Sequence, residues 1–234
     1  MTRLVLATRN GHKVREMRAI LGESFQLLAL SDLPDAAKTV EDADTFAGNA
    51  TKKAIELAQW LVAHSTLDLC SSPLLALADD SGLEVDALEG APGVYSARFA
   101  GCSGGAAGRS AGPAGNSADA DNNAKLLRLL EAVTWEKRTA RFRCVLALTP
   151  VLITKSVASP VCYADEGELQ TELFEGVCDG RIGFAPRGEG GFGYDPLFIP
   201  AGHEQSFAEL GDELKNRMSH RARALAKLRD RFLE

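Results

Sequence analysis

The sequence predicts an α/β fold, and two patterns carry the prediction. Short apolar runs of strand type lie at 3–7, 74–78, 140–149 and near 172–178, and amphipathic helical periods fall between and after them. The chain has 234 residues, enough for one domain or two closely joined lobes. Its first strand runs into Thr8, Arg9, Asn10, Gly11, His12 and Lys13, after which Val14, Met17 and Ile20 set a helical period. In the second helix, Phe46, Ala50, Ala54, Leu57 and Leu61 share one face, and Thr45 stands where an N-cap belongs. The strand at 74–78 ends at Asp79 and Asp80. In the strand at 140–149, Phe142 and Cys144 alternate with Arg141 and Arg143, the period of a half-exposed strand. Further helices are expected at 119–133 and at the C-terminus, where Ala222, Leu225, Leu228 and Phe232 form a stripe. Between them, residues 101–118 are dominated by Gly, Ala and Ser, which suits a flexible loop without a core of its own.

Bulk composition narrows the function. With 45% hydrophobic and 25% charged residues the chain reads as an ordinary soluble globular protein. A net charge of -6 disfavours a nucleic-acid partner, because no general electrostatic attraction to phosphate backbones exists. No apolar stretch reaches the roughly 18 residues of a spanning helix, and no signal-peptide pattern precedes the first strand, so no membrane association is expected. Five widely spaced cysteines without a CxxC pair fit reduced thiols in a cytoplasmic protein.

Four stretches carry groups able to do chemistry. Thr8–Lys13 joins a strand to a helix, where free backbone N–H groups and the helix dipole favour an anion and Lys13 adds a cation. The plainer alternative is that Asn10 caps the helix and Lys13 is solvated. No Walker loop is present. Asp79 and Asp80 are paired acids at a strand end, suited to a hard cation such as Mg²⁺ or to an exposed turn. Glu41, Asp42 and Asp44 could add a metal ligand or simply favour a helix N-terminus. Gly188, Gly190 and Gly193 match GxGxxG, but Pro196 forbids the helix that a dinucleotide fold needs next. A glycine turn that lets a flat base approach, with Phe192 or Tyr194 stacking on it, fits better. Finally, Lys215 and His220 are five apart and cannot share a face of one helix. If Ser219 is an N-cap, His220 and Arg221 fall in a new first turn and can face an anion; the plainer alternative is a basic, solvated helix, with Arg217, Arg223, Lys227, Arg229 and Arg231 nearby.

Together these are the parts of a metal-assisted nucleotide phosphohydrolase. The segments "ATRNGHKVREM", "TFAGNATKKA", "ADDSGLEVDALEGAPGVYSARFAG", "ARFRCVLAL", "GFGYDPLF" and "MSHRARAL" occur in order over nearly the whole chain. In them the chain resembles the inosine triphosphate pyrophosphatase family. The resemblance implies a single domain over 1–234, with an elongated mixed sheet flanked by helices and two lobes holding the nucleotide in the cleft between them. It also implies a homodimer, Mg²⁺ as cofactor, and hydrolysis of ITP, dITP and XTP to the monophosphate and pyrophosphate.

Carried onto this chain, Thr8, Arg9, Asn10, Gly11, His12 and Lys13 bind the triphosphate, and Lys13 also stabilises charge on the leaving group. Asp80 is metal ligand and proton acceptor, with Glu41 as a second metal ligand, and Ser81 contacts substrate. Phe192, Gly193, Tyr194 and Asp195 line the base pocket, while Lys215, His220 and Arg221 complete the contacts. Arg9 stands where many members carry Gly. Two rivals are a Maf-like pyrophosphatase acting on other bases, against which "SHR" and "FGYDP" speak, and a sensor that binds nucleotide without turnover.

Overall fold

In the computed structural model, the structure describes residues 1–33, 35–36, 38–64, 73–102, 116–152 and 170–233. Residues 103–115 of the Gly/Ala/Ser-rich segment therefore lie outside the described residues. The described strands are β1 (Thr2–Leu6), β2 (Phe25–Ala29), β3 (Leu74–Val85), β4 (Thr139–Pro150), β5 (Glu172–Ile182) and β6 (Phe198–Pro200). They form one sheet in the order β2-β1-β3-β4-β5-β6. β1 runs parallel to both β2 and β3, with Leu4 opposite Leu27 on one side and Leu75 on the other. β5 and β6 are antiparallel, with Arg181 opposite Ile199, so the sheet is mixed. The described α-helices are α1 (Gly11–Leu21), α2 (Phe46–His64), α3 (Asp119–Leu129), α4 (Phe207–Met218) and α5 (His220–Asp230).

The chain divides into two compact units. The first comprises Met1–Asp80, Val145–Phe174 and Lys227–Glu234; the second comprises Ser81–Cys144 and Glu175–Ala226. In the first unit, Leu4, Val5 and Leu6 of β1 are fully buried, as expected for a central parallel strand. α1 turns Val14, Met17 and Leu21 inward and ends at Gly22, whose φ of +59° suits glycine. α2 begins where the Thr45 hydroxyl accepts from the Gly48 N–H (3.0 Å), and it buries Phe46, Ala50, Ala54, Leu57 and Leu61. No helix among the described residues is long and apolar enough to cross a membrane.

The second unit has its own core. Leu83, Val85, Leu126, Phe142, Cys178, Ile182, Leu197, Phe198 and Phe207 form one cluster in which Phe142 meets Phe198 with ring centroids 4.6 Å apart. Cys102, Cys144 and Cys178 are buried and form no disulfide among the described residues.

Two expectations about elements change, and of the two readings of the C-terminal region the structure takes the Ser219 cap. β3 does not stop at Asp79–Asp80 but continues to Val85, because Leu83 and Val85 reach the second core and hold the backbone extended. α3 stops at Leu129 instead of running to 133, and Leu130 and Val133 close the chain in turns. The C-terminal helix is two helices. α4 starts at a Ser206–Glu209 capping box, bends at Gly211 (φ +79°) and ends at Met218. Ser219 is extended (φ -65°, ψ 164°), and its hydroxyl accepts from the Ala222 N–H (3.2 Å) to open α5.

Candidate active site

The first unit gathers its polar groups at the C-terminal end of β1 and along β3. Asn10 caps α1, its Oδ1 accepting from the N–H of His12 (2.9 Å) and of Lys13 (3.3 Å). The Thr8 hydroxyl accepts from the Asn10 N–H (3.1 Å). The cap alternative is thus present in the structure, and those three amides are engaged within the loop. Lys13 is not a solvated side chain: its ammonium pairs with the Asp79 carboxylate, which is fully buried. Arg9 donates to the Ala36 carbonyl (2.6 Å), so its guanidinium ties the loop to a neighbouring segment.

Asp80 is the centre of this cluster. Its Oδ1 accepts from the Lys53 ammonium (2.8 Å) and its Oδ2 from the Asn49 amide (3.3 Å). The same ammonium donates to the Asp79 carbonyl (2.9 Å) and lies 3.5 Å from the Glu41 carboxylate. Burial raises the proton affinity of Asp80 above that of an ordinary carboxylate, against the pull of Lys53 and Lys13. Burial also opposes the charge of Lys53, but Asp80, Glu41 and Asp79 outweigh it and hold the ammonium charged.

The sequence reading missed Lys53 and Asn49, and a signal for them existed. Both fall on the buried stripe of α2, where an amphipathic helix should carry apolar side chains. A polar residue there needs a buried partner, and Asp80 is that partner.

Among the described residues no three His, Cys, Asp or Glu side chains are grouped to cage a metal by themselves. The donor set still fits Mg²⁺. Glu41, Asp79 and Asp80 set three negative charges against the two positive charges of Lys13 and Lys53. Mg²⁺ usually takes one or two carboxylates and fills its octahedron with phosphate and water oxygens.

The second unit assembles a different set. The Asp195 carboxylate, 2% exposed, accepts from the Lys215 ammonium (2.5 Å) and from the Phe192 N–H (2.8 Å). Lys215 also lies 4.5 Å from the centroid of the Phe192 ring. Arg221 donates to the Ser81 hydroxyl (2.9 Å), with its guanidinium 6.0 Å from the same ring. His220 stacks on Phe142 with centroids 4.8 Å apart and an interplanar angle of 13°. Gly176 of β5 has no room for a side chain beside the backbone of Ala224, which is how the start of α5 comes so close to that strand.

Tyr194 departs from expectation. Its ring is buried in the second core and its hydroxyl donates to the Ser96 carbonyl (2.9 Å). Burial pushes its phenol well above the ordinary range. Of the two candidate stacking rings, only Phe192 keeps partial exposure.

A profile of the Ham1 family matches residues 4–231. The chain belongs to the Ham1 family. Among curated Ham1-type relatives, a dITP/XTP pyrophosphatase of Geobacter sulfurreducens is 48% identical over 231 residues, covering 98% of this chain and 96% of its own. Another dITP/XTP pyrophosphatase, from Desulforamulus reducens, is 46% identical over 226 residues, covering 96% and 92%. A solved HAM1 protein from Coxiella burnetii superposes with a TM-score of 0.70 at 34% identity, covering 97% of this chain and 96% of its own. The Ham1 protein of Staphylococcus aureus does so with a TM-score of 0.71 at 30% identity, covering 98% and 97%. Relatives of this name and extent bear out the family read from the six segments.

Proposed function

We propose that this Ham1-family chain hydrolyses the non-standard purine nucleoside triphosphates ITP, dITP and XTP to the monophosphate and pyrophosphate. The observation that carries the reading is Asp80. It is a buried carboxylate with raised proton affinity, oriented through one oxygen by Lys53 and through the other by Asn49. A carboxylate held in this way suits a proton acceptor for water, since its geometry is fixed before substrate arrives. The names of the relatives support the substrate class.

The roles then follow from the chemistry of the groups. Water attacks the α-phosphorus, the bond to the bridging oxygen breaks, and the water proton passes to Asp80. Lys13, beside the cap of α1, offsets charge that builds on the departing pyrophosphate. Thr8, Arg9, Asn10, Gly11 and His12 flank the triphosphate. Ser81, Lys215, His220 and Arg221 complete the contacts to substrate, and Phe192 offers a face for the base beside Gly193, Tyr194 and Asp195. Asp80 and Glu41 would hold Mg²⁺, which supplies charge neutralisation on the phosphate oxygens when bound. A homodimer in the cytoplasm accompanies this reading; buried thiols that form no disulfide among the described residues suit a reducing compartment.

The test uses purified protein with ITP, scoring IMP, pyrophosphate and orthophosphate separately, with Mg²⁺ and with EDTA. IMP plus pyrophosphate, lost on chelation, is expected. Asp80→Asn should keep nucleotide binding by calorimetry and lose at least about a hundredfold in kcat, the usual scale of a general base. Retained turnover in that variant removes Asp80 from the mechanism. Sedimentation of the protein as a monomer would remove the dimer.

A further inference from the structure

The turn at Phe192–Asp195 is held by two side chains of α3 that no role above uses. Asp119, in the first turn of α3, accepts from the Gly193 N–H through its carboxylate (2.6 Å). Asn123, one turn further on, donates from Nδ2 to the Gly193 carbonyl (3.0 Å). Residues four apart share a helix face, so both polar groups of one glycine are gripped by one face of one helix.

Three features indicate that this grip serves more than packing. First, Asn123 is 8% exposed and its Oδ1 is buried without a hydrogen bond. An unsatisfied buried acceptor destabilises the chain, so an apolar residue would serve a merely structural position better. The neighbouring Asn122 makes the contrast: its Oδ1 accepts from the Ala100 N–H (2.8 Å) and its amide donates to the Ala97 carbonyl (3.4 Å). Second, Gly193 has φ +63°, yet a side chain there would meet nothing within 4 Å. Its backbone therefore faces open space on that side. Gly191, two residues earlier, has no such room, since a side chain there would strike the Asp195 carboxylate. Third, the peptide between Phe192 and Gly193 is fixed from both ends, because the Phe192 carbonyl also accepts from the Asp195 N–H (3.2 Å).

We propose that Asp119 and Asn123 are positioning residues that clamp Gly193 and thereby set the planes of the two peptides that flank it, Phe192–Gly193 through its N–H and Gly193–Tyr194 through its carbonyl, against which a purine base is selected. This rests on the nucleotide reading above and adds to it the device that fixes base discrimination. The clamp acts on the turn that meets the base, and not on Thr8–Lys13, the candidates for the triphosphate in the first unit.

The test measures kcat and KM for ITP and for ATP, and the inhibition constant of inorganic pyrophosphate, in the full chain with Mg²⁺. The variants are Asn123→Ala, Asp119→Ala and Asp119→Asn. Asp119 is exposed, so its variants can fold even where Asn123→Ala does not. Loss of one hydrogen bond should raise the KM for ITP roughly five- to tenfold and lower the ITP-over-ATP ratio of kcat/KM by a similar factor. Pyrophosphate inhibition should stay within about twofold, as should every constant of Asp119→Asn, whose amide oxygen still accepts from the Gly193 N–H. Unchanged ITP-over-ATP ratios in the alanine variants overturn the clamp while leaving the nucleotide reading in place. So do constants for ITP, ATP and pyrophosphate that all move together. An unmodified chain that releases no pyrophosphate from ITP overturns both.

Discussion

Replacing Lys53 by Met tests the arrangement around Asp80 as a balance of buried charge. The ammonium makes three contacts: 2.8 Å to Asp80, 2.9 Å to the Asp79 carbonyl and 3.5 Å to Glu41. Methionine matches the length of the side chain, so little cavity is left, and the loss is electrostatic. Breaking a buried pair by removing one partner costs about 3–5 kcal/mol, because the remaining charge stays buried. Here the lower end applies, since Asn49 still donates to Asp80 and Glu41 can turn towards solvent. A loss of about 3 kcal/mol corresponds to a fall in Tm of roughly 6–12 °C for a chain of this size.

The assay is urea unfolding followed by circular dichroism at neutral pH in EDTA, which keeps metal binding out of the comparison. The double variant Lys53→Met/Asp80→Asn removes both charges, and its deficit should shrink to about 1 kcal/mol, about 2 kcal/mol less than that of the single variant. A single-variant loss under about 1 kcal/mol, or a double variant no more stable than the single, would refute the reasoning.

Three further outcomes are expected. Ser219→Ala removes the cap that opens α5 and should cost about 1 kcal/mol in urea unfolding. It should also raise the KM for nucleotide, because His220 and Arg221 lose their fixed first turn. Cys178 has its thiol pushed up to about 11 by burial, with Asp179 adding to the rise and Arg223 opposing it. The unfolded chain then releases that proton at lower pH than the folded one, so stability present below about pH 9 is lost as pH rises through about 11, by up to about 3 kcal/mol. Cys178→Ala should flatten this decline relative to the unmodified protein, and parallel alkaline profiles would contradict it. The same thiol should resist alkylation at pH 8 in the folded protein, read by mass spectrometry.

Much of this was legible in the sequence, and the particular residues show why. The β1–α1 junction was readable because an apolar run ended in a cap residue and a helical period followed at once. The break at Ser219 was readable because Lys215 and His220 could not both serve one helix face. β2 and β6 were not read: β6 has only three residues, and β2 sets Gln26 among apolar residues without a strict alternation. The length of β3 escaped because Asp79, Asp80, Ser81 and Gly82 have turn chemistry, and only the burial of Leu83 and Val85 in the second core overrides it. Lys53 stands beside Lys52, and nothing local separates the two: Lys52 pairs at the surface with Asp42 (2.7 Å), whereas Lys53 is buried against Asp80. Tyr194 looked like a stacking ring because the sequence around it is glycine-rich, whereas its side chain belongs to the core of the second unit. Gly193 and its two partners on α3 are about 70 residues apart, a separation that no local pattern reports.

The most direct measurement gives the purified protein ITP, XTP, GTP, ATP and dTTP in parallel with Mg²⁺ and determines kcat/KM and products for each. The account predicts pyrophosphate with IMP or XMP from ITP and XTP, and at least about tenfold lower kcat/KM for dTTP and for ATP, whose 6-amino group cannot accept the hydrogen bond that a 6-keto oxygen accepts. Pyrophosphate mainly from dTTP, orthophosphate as the main product, or binding without any product would contradict it.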